Sequence, residues 1–256
     1  MSSYEDVEKL WDKRELYSQD QTPNRYHEVA SMSAIRVLFK RLGAQWRQNH
    51  PWINYADLGC GEGQGTKYFA NFLVKTVGLP INAVGVDASP KCREACERNV
   101  LNFRRVKLGE EPLGLEEYHV FTLFETIEHV FNTDHLIESI RASISKDGVL
   151  LVTTLNVVCL KNRLLVPLGI QPFNTEVSTK KLSYGYRLKS LRDRMDTWKP
   201  AGHIRPFTLP SLCEILEDNG FTVIHTFGLE NWRPLKVLEK IAKNMCTGIF
   251  VVVKPR

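Results

Sequence analysis

Four glycines at alternate positions follow a short apolar run in the stretch YADLGCGEGQG, residues 55–65. Glycine is unfavourable in strands and helices, so such a cluster indicates tight turning, a positive φ angle, or a ligand held against bare backbone. Asp57 stands before the cluster, and Asp87 lies thirty residues after Asp57. An acid at Asp57 would repel a phosphate but suit a ligand with an ammonium group, and Asp87 is suited to ribose hydroxyls.

Two later segments carry a second group of side chains that could do chemistry. ETIEHV contains Glu125, Glu128 and His129, and GHIRPFT contains His203. On a helical turn the first three side chains would converge on one side, and His203 could add a fourth ligand. Carboxylates with imidazoles suit a divalent cation, but they also form structural hydrogen-bond clusters, so the sequence leaves both interpretations open.

The apolar pattern predicts the elements that position these groups. Strands are expected over 53–58, 81–87, 104–108, 118–124, 149–156, 221–228 and 247–256. Helices are expected over 29–46, 66–77, 91–101, 132–145 and 208–220. Gly43 is expected to end the first helix and Ser89 to cap the third. Alternating strands and helices predict an α/β fold, a doubly wound, mostly parallel seven-stranded sheet with helices on both faces.

This arrangement gives the glycines a role. The cluster lies between the first strand and the following helix, where backbone N–H groups and the helix N-terminus can approach a ligand. Asp87 falls at the tip of the second strand, close to that turn. The sequence therefore predicts a ligand site at the carboxyl edge of the sheet.

Length and charge bound the domain organisation. The 256 residues suit a single domain, with a helical cap over 1–50, a main domain over 51–256 and an insertion at about 157–206. Ten Lys and Arg but only three acids lie between Leu160 and Arg205, so this segment carries +7 and the remainder −2. A basic stretch on a near-neutral body predicts an anionic partner, although a solvated loop surface explains it equally well.

Composition also indicates the compartment. The six cysteines are scattered without a CxxC pair and are expected to be reduced. No apolar run approaches the roughly 20 residues of a membrane span. Residues 1–30 are polar and mixed in charge, unlike a secretory signal. A cytoplasmic protein is the resulting expectation.

Three motifs, DLGCGEGQG, VGVDAS and DGVLLVTTLN, together resemble those of the class I S-adenosylmethionine-dependent methyltransferases. The resemblance runs from about Asn54 to the C-terminus. FETIEHV and GHIRPFT are similar to the subgroup of ubiquinone-pathway O-methyltransferases and polysaccharide-associated methyltransferases. The resemblance implies S-adenosylmethionine as cofactor and a Rossmann-like methyltransferase fold.

The same resemblance implies roles for individual residues. It implies that Asp57, Gly59 and Gly61 line the methionine part of the cofactor. Asp87 and Ala88 would bind the ribose, and Phe124 and Glu125 would lie near the sulfonium. Some subgroup members, and methyltransferases of the terminal 2′-hydroxyl of small RNAs, bind a metal through a Glu-x-x-Glu-His motif and a later His. A divalent metal at Glu125, Glu128, His129 and His203 is therefore a second implied cofactor. Tyr26 could reach the cofactor as part of a lid, or only cap the N-terminal helix.

Methyl transfer is an in-line displacement that neutralises a sulfonium, so the protein must align a nucleophile and exclude water. A hydroxyl acceptor must also lose a proton, and Glu125, His129 and His203 are the candidate catalytic residues. The expected function is O-methylation of an anionic small molecule or glycan. Two alternatives stay open: a metal-dependent RNA 2′-O-methyltransferase, since Tyr184 and Trp198 lie among the cations of the insertion, and a non-catalytic cofactor-binding protein.

Overall fold

The computed structural model describes residues 24–99 and 101–256. Most of the first half of the expected N-terminal cap, residues 1–23, lies outside the described residues. The described part of the cap forms two helices, α1 (Asn24–Ser31) and α2 (Ser33–Asn49).

Seven strands form one sheet in the order β3-β2-β1-β4-β5-β7-β6. They are β1 (Ile53–Leu58), β2 (Ile81–Asp87), β3 (Asn102–Arg105), β4 (Tyr118–Phe124), β5 (Ile144–Leu155), β6 (Phe221–Leu229) and β7 (Gly248–Pro255). β1 to β5 pair in parallel, and β7 lies antiparallel between β5 and β6. The predicted doubly wound, mostly parallel sheet is confirmed. Its strand order reverses between β1 and β4, the place where open α/β sheets bind ligands.

Helices cover both faces of the sheet. The remaining helices are α3 (Gln64–Val77), α4 (Lys91–Arg98), α5 (Thr133–Ser143), α6 (Leu160–Leu165), α7 (Lys189–Asp196), α8 (Leu209–Asp218) and α9 (Leu238–Ile241). Apolar side chains of α1, α2 and α3 form one core with one face of the sheet. Those of α5 and α8 form another core with the opposite face. These two cores pack against both faces of the sheet and so fix the positions of the strand ends.

Gly43 does not end the second helix, which continues to Asn49. A Cβ atom at this position would lie 2.8 Å from the backbone of Val77, the last residue of α3. The expected stop signal is therefore a packing requirement: Gly43 lets α2 and α3 approach closely. Packing of this kind overrides the weak helix propensity of glycine.

Other boundaries also differ from the expectation. Pro90, rather than Ser89, directly precedes the first residue of α4, and the Ser89 N–H donates to Asp87 Oδ1 at 2.9 Å. β3 ends at Arg105, so the buried Val106 and Leu108 lie in the loop that follows. Their apolar character comes from loop packing and not from a strand, which explains the displaced prediction.

The insertion has a small apolar core of its own. Ile170, Tyr186 and Met195 are buried together in it. Tyr184 and Trp198 remain exposed at 48% and 55%. In the described parts of the chain, none of the helices has the length and hydropathy needed to cross a membrane.

Candidate functional site

The glycine turn after β1 adopts the left-handed backbone that its sequence predicts. Gly59, Gly61 and Gly63 have φ angles of 80°, 51° and 79°. A Cβ atom at Gly59 would lie 2.3 Å from the hydroxyl oxygen of Thr126, at the end of β4. Both the positive φ and this close approach exclude larger residues, so the turn brings bare backbone to the carboxyl edge of the sheet.

Asp57 is fully buried and is held by three hydroxyl groups. Thr122 donates to Oδ1 at 2.6 Å, Tyr26 donates to Oδ2 at 2.9 Å, and Thr66 also donates to Oδ2. Burial raises the pKa of the Asp57 carboxyl to about 6, against the lowering effect of the three hydrogen bonds. The structure thus places Asp57 beneath the glycine turn, where its carboxylate ties β1 to β4, α3 and α1.

Tyr26 brings α1 to the site, which the sequence left open. Its ring packs edge-on against Phe124, with centroids 4.9 Å apart. A Cβ atom at Gly65 would lie 2.4 Å from the Cε2 atom of this ring, so the ring occupies the space that a side chain at Gly65 would need. Beside it, Arg25 Nε donates to Glu125 Oε1 at 3.0 Å. The helix is therefore fixed over the carboxyl ends of β1 and β4.

Asp87 lies at the tip of β2, as predicted, and contacts the glycine turn directly. Gly61 N–H donates to Asp87 Oδ2 at 3.0 Å, and Ser89 N–H donates to Oδ1. Burial raises the pKa of the Asp87 carboxyl, and these N–H donors lower it. Ala88 is buried next to it, and its carbonyl accepts from Arg105 Nε at 2.9 Å.

Glu125 follows β4 with a φ of 51°, which is uncommon outside glycine. Its N–H donates to the Thr153 carbonyl oxygen at 3.0 Å, so the strand pairing imposes this conformation. The conformation directs its carboxylate to Arg25. Ile127–His129 form a 3₁₀ turn that carries Glu128 and His129, and Glu125 lies just before it, with its charge acting on Glu128.

Glu128 is buried on that turn, with 2% of its surface exposed. Thr154 donates to its Oε2 at 2.9 Å, whereas its Oε1 has no hydrogen-bond partner among the described residues. Burial, and to a smaller extent the charge of Glu125, raise the pKa of the Glu128 carboxyl to about 8. At neutral pH this group is therefore mostly protonated.

His129 and His203 meet as predicted, with ring centroids 4.9 Å apart. His129 Nδ1 lies 3.0 Å from the carbonyl oxygen of Gly202. His203 Nδ1 lies 3.2 Å from Oε1 of Glu176 in the insertion. Glu176 was missed from sequence, since its role depends on contacts with residues 25 or more positions away.

The structure brings together three of the four proposed metal ligands. Side-chain ligand atoms of Glu128, His129 and His203 lie within 4.8 Å of one another. Glu125 is not part of this group and pairs with Arg25 instead. The donor set of one carboxylate and two imidazoles, with a buried Oε1 that lacks a partner, fits a divalent transition metal.

A second group at the opposite edge of the sheet contains His50, His119 and Asp147. Asn54 N–H donates to His119 Nδ1 at 3.2 Å, so the neutral His119 ring carries its proton on Nε2. A protonated nitrogen cannot ligate a metal. His50 Nε2 contacts Asp147 Oδ2 at 3.1 Å, and this group is a structural tie between α2 and β5.

Comparison with known families matches residues 25–226 to a family described as a methyltransferase domain. A ubiquinone biosynthesis O-methyltransferase from Glaesserella parasuis serovar 5 (strain SH0165) is 28% identical over 107 residues. That similarity covers 39% of this chain and 44% of the relative, so it spans less than half of either protein.

Solved structures share the fold at low identity. An S-adenosylmethionine-dependent methyltransferase from Clostridium acetobutylicum ATCC 824 has a TM-score of 0.54 at 12% identity, covering 99% of both chains. The N-methyltransferase NodS from Bradyrhizobium japonicum WM9, solved with S-adenosyl-L-homocysteine, has a TM-score of 0.50 at 11% identity. It covers 98% of this chain and 97% of NodS. The expected Rossmann-like methyltransferase fold is confirmed.

Proposed function

The chain belongs to a family of methyltransferase domains, and we propose that it uses S-adenosylmethionine to methylate an oxygen of an anionic small molecule or glycan. One observation carries this proposal: His129 and His203 pair at the end of β4, against the basic insertion. An oxygen acceptor needs a base at the point of transfer, and imidazole is the side chain best suited to that task near neutral pH.

The cofactor is assigned to the carboxyl ends of β1, β2 and β4. We place its ribose at Asp87 and Ala88 and its methionine part along Gly59 and Gly61. Asp57 supports that turn from below, through its bonds to Tyr26, Thr66 and Thr122. We place Phe124 and Glu125 next to the sulfonium.

The acceptor is assigned to the space between this turn and the insertion. His203 or His129 would take the proton from the acceptor hydroxyl, and bound S-adenosylmethionine would supply the methyl group and retain the C–S electron pair on its sulfur. Glu125 is the third candidate, although its ion pair with Arg25 favours a role in anchoring α1 over the cofactor. The closed contacts of α1 on β4 would exclude water from the transfer.

The charge of the insertion supports an anionic acceptor. Its exposed cations include Lys180, Lys181, Arg187 and Lys189. Cations on a surface next to a site attract anionic ligands and raise their local concentration. A phosphate or carboxylate group on the acceptor would pair with them.

Replacing Asp87 with Ala tests the cofactor assignment. The loss of a charged hydrogen-bond acceptor should weaken binding of S-adenosylhomocysteine by more than about 1 kcal/mol, measured by titration calorimetry. Glu97, an exposed acid on α4, provides the matched control, and its change to Ala should leave affinity unaltered. Equal affinities for the two variants would remove the ribose assignment.

The acceptor class is tested by transfer of radiolabelled methyl from S-adenosylmethionine into a fractionated cell extract, with and without chelator. Label in soluble metabolites or glycans supports the proposal. Label in RNA would replace it with RNA 2′-O-methylation, and the basic insertion would then be the RNA-binding surface.

Metal-assisted transfer is a second candidate, and the Glu128 Oε1 atom without a partner favours it. Glu128, His129 and His203 would hold the ion, which when bound lowers the pKa of an acceptor hydroxyl. Loss of transfer on adding chelator, restored by Mn²⁺ or Zn²⁺, is the expected result in that case. Transfer that persists with chelator would leave the imidazole base as the mechanism.

A further inference from the structure

Glu176 is a buried acid at the point where the insertion meets the site. Its side chain is 7% exposed. Ala201 N–H donates to Oε1 and Gly202 N–H donates to Oε2, each at 2.7 Å. Each carboxyl oxygen thus accepts a backbone N–H, an arrangement that favours the ionised carboxylate.

The Glu176 carboxylate contacts both histidines of the site, one directly and one through a peptide group. His203 Nδ1 lies 3.2 Å from Oε1. The Gly202 peptide donates its N–H to Oε2, while its carbonyl oxygen lies 3.0 Å from His129 Nδ1. One acid in the insertion thus fixes a loop that carries His203 and contacts His129.

We propose that Glu176 is a positioning residue, which holds His203 with its proton on Nδ1 and keeps the Gly202 carbonyl against His129. The catalytic part of this inference, that His203 acts as a base, rests on the proposed function. The 3.2 Å contact lies outside hydrogen-bond geometry in this arrangement, and a rotation of the ring that turns the Nδ1–H towards the carboxylate would leave Nε2 of His203 as the basic nitrogen. The acceptor hydroxyl then gives its proton to Nε2, its oxygen bonds the methyl carbon, and the C–S bond breaks with its electron pair going to sulfur.

The contacts distinguish this positioning role from a purely structural role, in which Glu176 would only hold two loop segments together. A tie between residues 176 and 201–202 needs only the two backbone N–H donors. A buried carboxylate beside an imidazole additionally selects one tautomer, and wrong-tautomer histidines lose most of their activity as bases. Other ionisable groups around His203 are His129 and Glu128, both from the 3₁₀ turn.

The tautomer of His203 provides a readout that does not depend on turnover. In protein labelled with ¹⁵N-histidine, at a pH where the ring is neutral, the ¹⁵N shifts should place the proton on Nδ1. In E176A no oxygen remains to accept from Nδ1–H, so this preference should be lost, whereas E176Q can keep its carbonyl oxygen towards His203 and turn its N–H₂ group towards Gly202. E176D retains a carboxylate and should restore it, and E214Q, an exposed acid on α8, should not change it.

Transfer rates test the catalytic meaning. With the labelled acceptor fraction and saturating S-adenosylmethionine, E176A should lower kcat by about 10²-fold, the scale of one general-base contribution, with little change in KM for the cofactor. An unchanged tautomer in E176A would overturn the proposal. A changed tautomer with an unchanged kcat would overturn its catalytic part. If wild type labels no acceptor, the proposed function fails, while the tautomer experiment still decides the positioning role.

Discussion

Glu128 shows, at the scale of one residue, how burial keeps a carboxyl group protonated. Its carboxyl is almost completely buried, and among the described residues Thr154 is the side-chain donor to it, at Oε2. The folded protein holds its proton up to about pH 8, whereas an unfolded chain releases it near its ordinary value of 4.5. Folded stability from this group is therefore fully present below pH 4.5 and is lost as pH rises through 8.

The change of Glu128 to Gln should remove that dependence. Gln can accept from Thr154 and never carries a charge, so the variant should lose less stability than wild type between pH 5 and pH 8. The difference should be on the order of 3 kcal/mol, from denaturant unfolding at both pH values with chelator present. E138Q, on the exposed face of α5, is the control and should follow wild type. Parallel curves for E128Q and wild type would show that Glu128 is ionised in the folded protein.

Sequence reasoning found the residues whose types are unusual for their place. Asp57 and Asp87 stand out because acids occur at the ends of apolar runs, and His203 stands out through the similarity of GHIRPFT to a methyltransferase motif. Glu176 could not be found in this way, since its partner His203 is distant in sequence, and for Tyr26 the sequence left two roles open because its partner Asp57 is distant as well. Their roles are tertiary contacts that no local spacing encodes.

At the scale of elements, α1 packs the ring of Tyr26 against Gly65 of α3. Gly65 is a helical residue of α3, where Ala would normally be favoured by about 1 kcal/mol. The ring of Tyr26 occupies the space that a Cβ atom would need. The sequence GQG thus reflects the docking of α1 as well as the turn.

Gly65→Ala should therefore destabilise the protein by about 1–3 kcal/mol through overpacking against Tyr26. In a Tyr26→Ala background the same change should be neutral or stabilising, because space becomes available and helix propensity then decides. Denaturant unfolding of the two single variants and the double variant gives the coupling. Additive effects would mean that Gly65 is needed for a reason other than the ring.

Strand and helix positions were predictable where side-chain periodicity and packing agree. The buried run of β5 and the Thr208 cap of α8 are such cases, and α8 begins with a capping box between Thr208 and Ser211. Gly43 is a case where they disagree, since its missing side chain serves the contact with Val77. Local preference is weak compared with the packing of two helices.

At the scale of the whole molecule, the net positive charge is concentrated in the insertion and not in the rest of the chain. The segment from Leu160 to Arg205 carries +7 and the remainder −2. The segment contacts the site through Glu176, Gly202 and His203. A cationic surface beside an acceptor site should act mainly on the encounter with an anionic acceptor, and its effect should be screened by salt.

The double change Lys180→Glu with Lys181→Glu tests this separation. At low salt the variant should transfer label to the acceptor fraction several-fold more slowly than wild type at subsaturating acceptor, because it replaces attraction by repulsion. At about 1 M salt, where the Debye length is about 3 Å, the two rates should converge. The matched control changes the exposed Lys40 and Arg41 of α2 to Glu, which alters net charge equally but away from the insertion. If both pairs slow transfer equally, net charge and not the insertion governs the encounter; if neither does, the acceptor is uncharged and the anionic assignment fails.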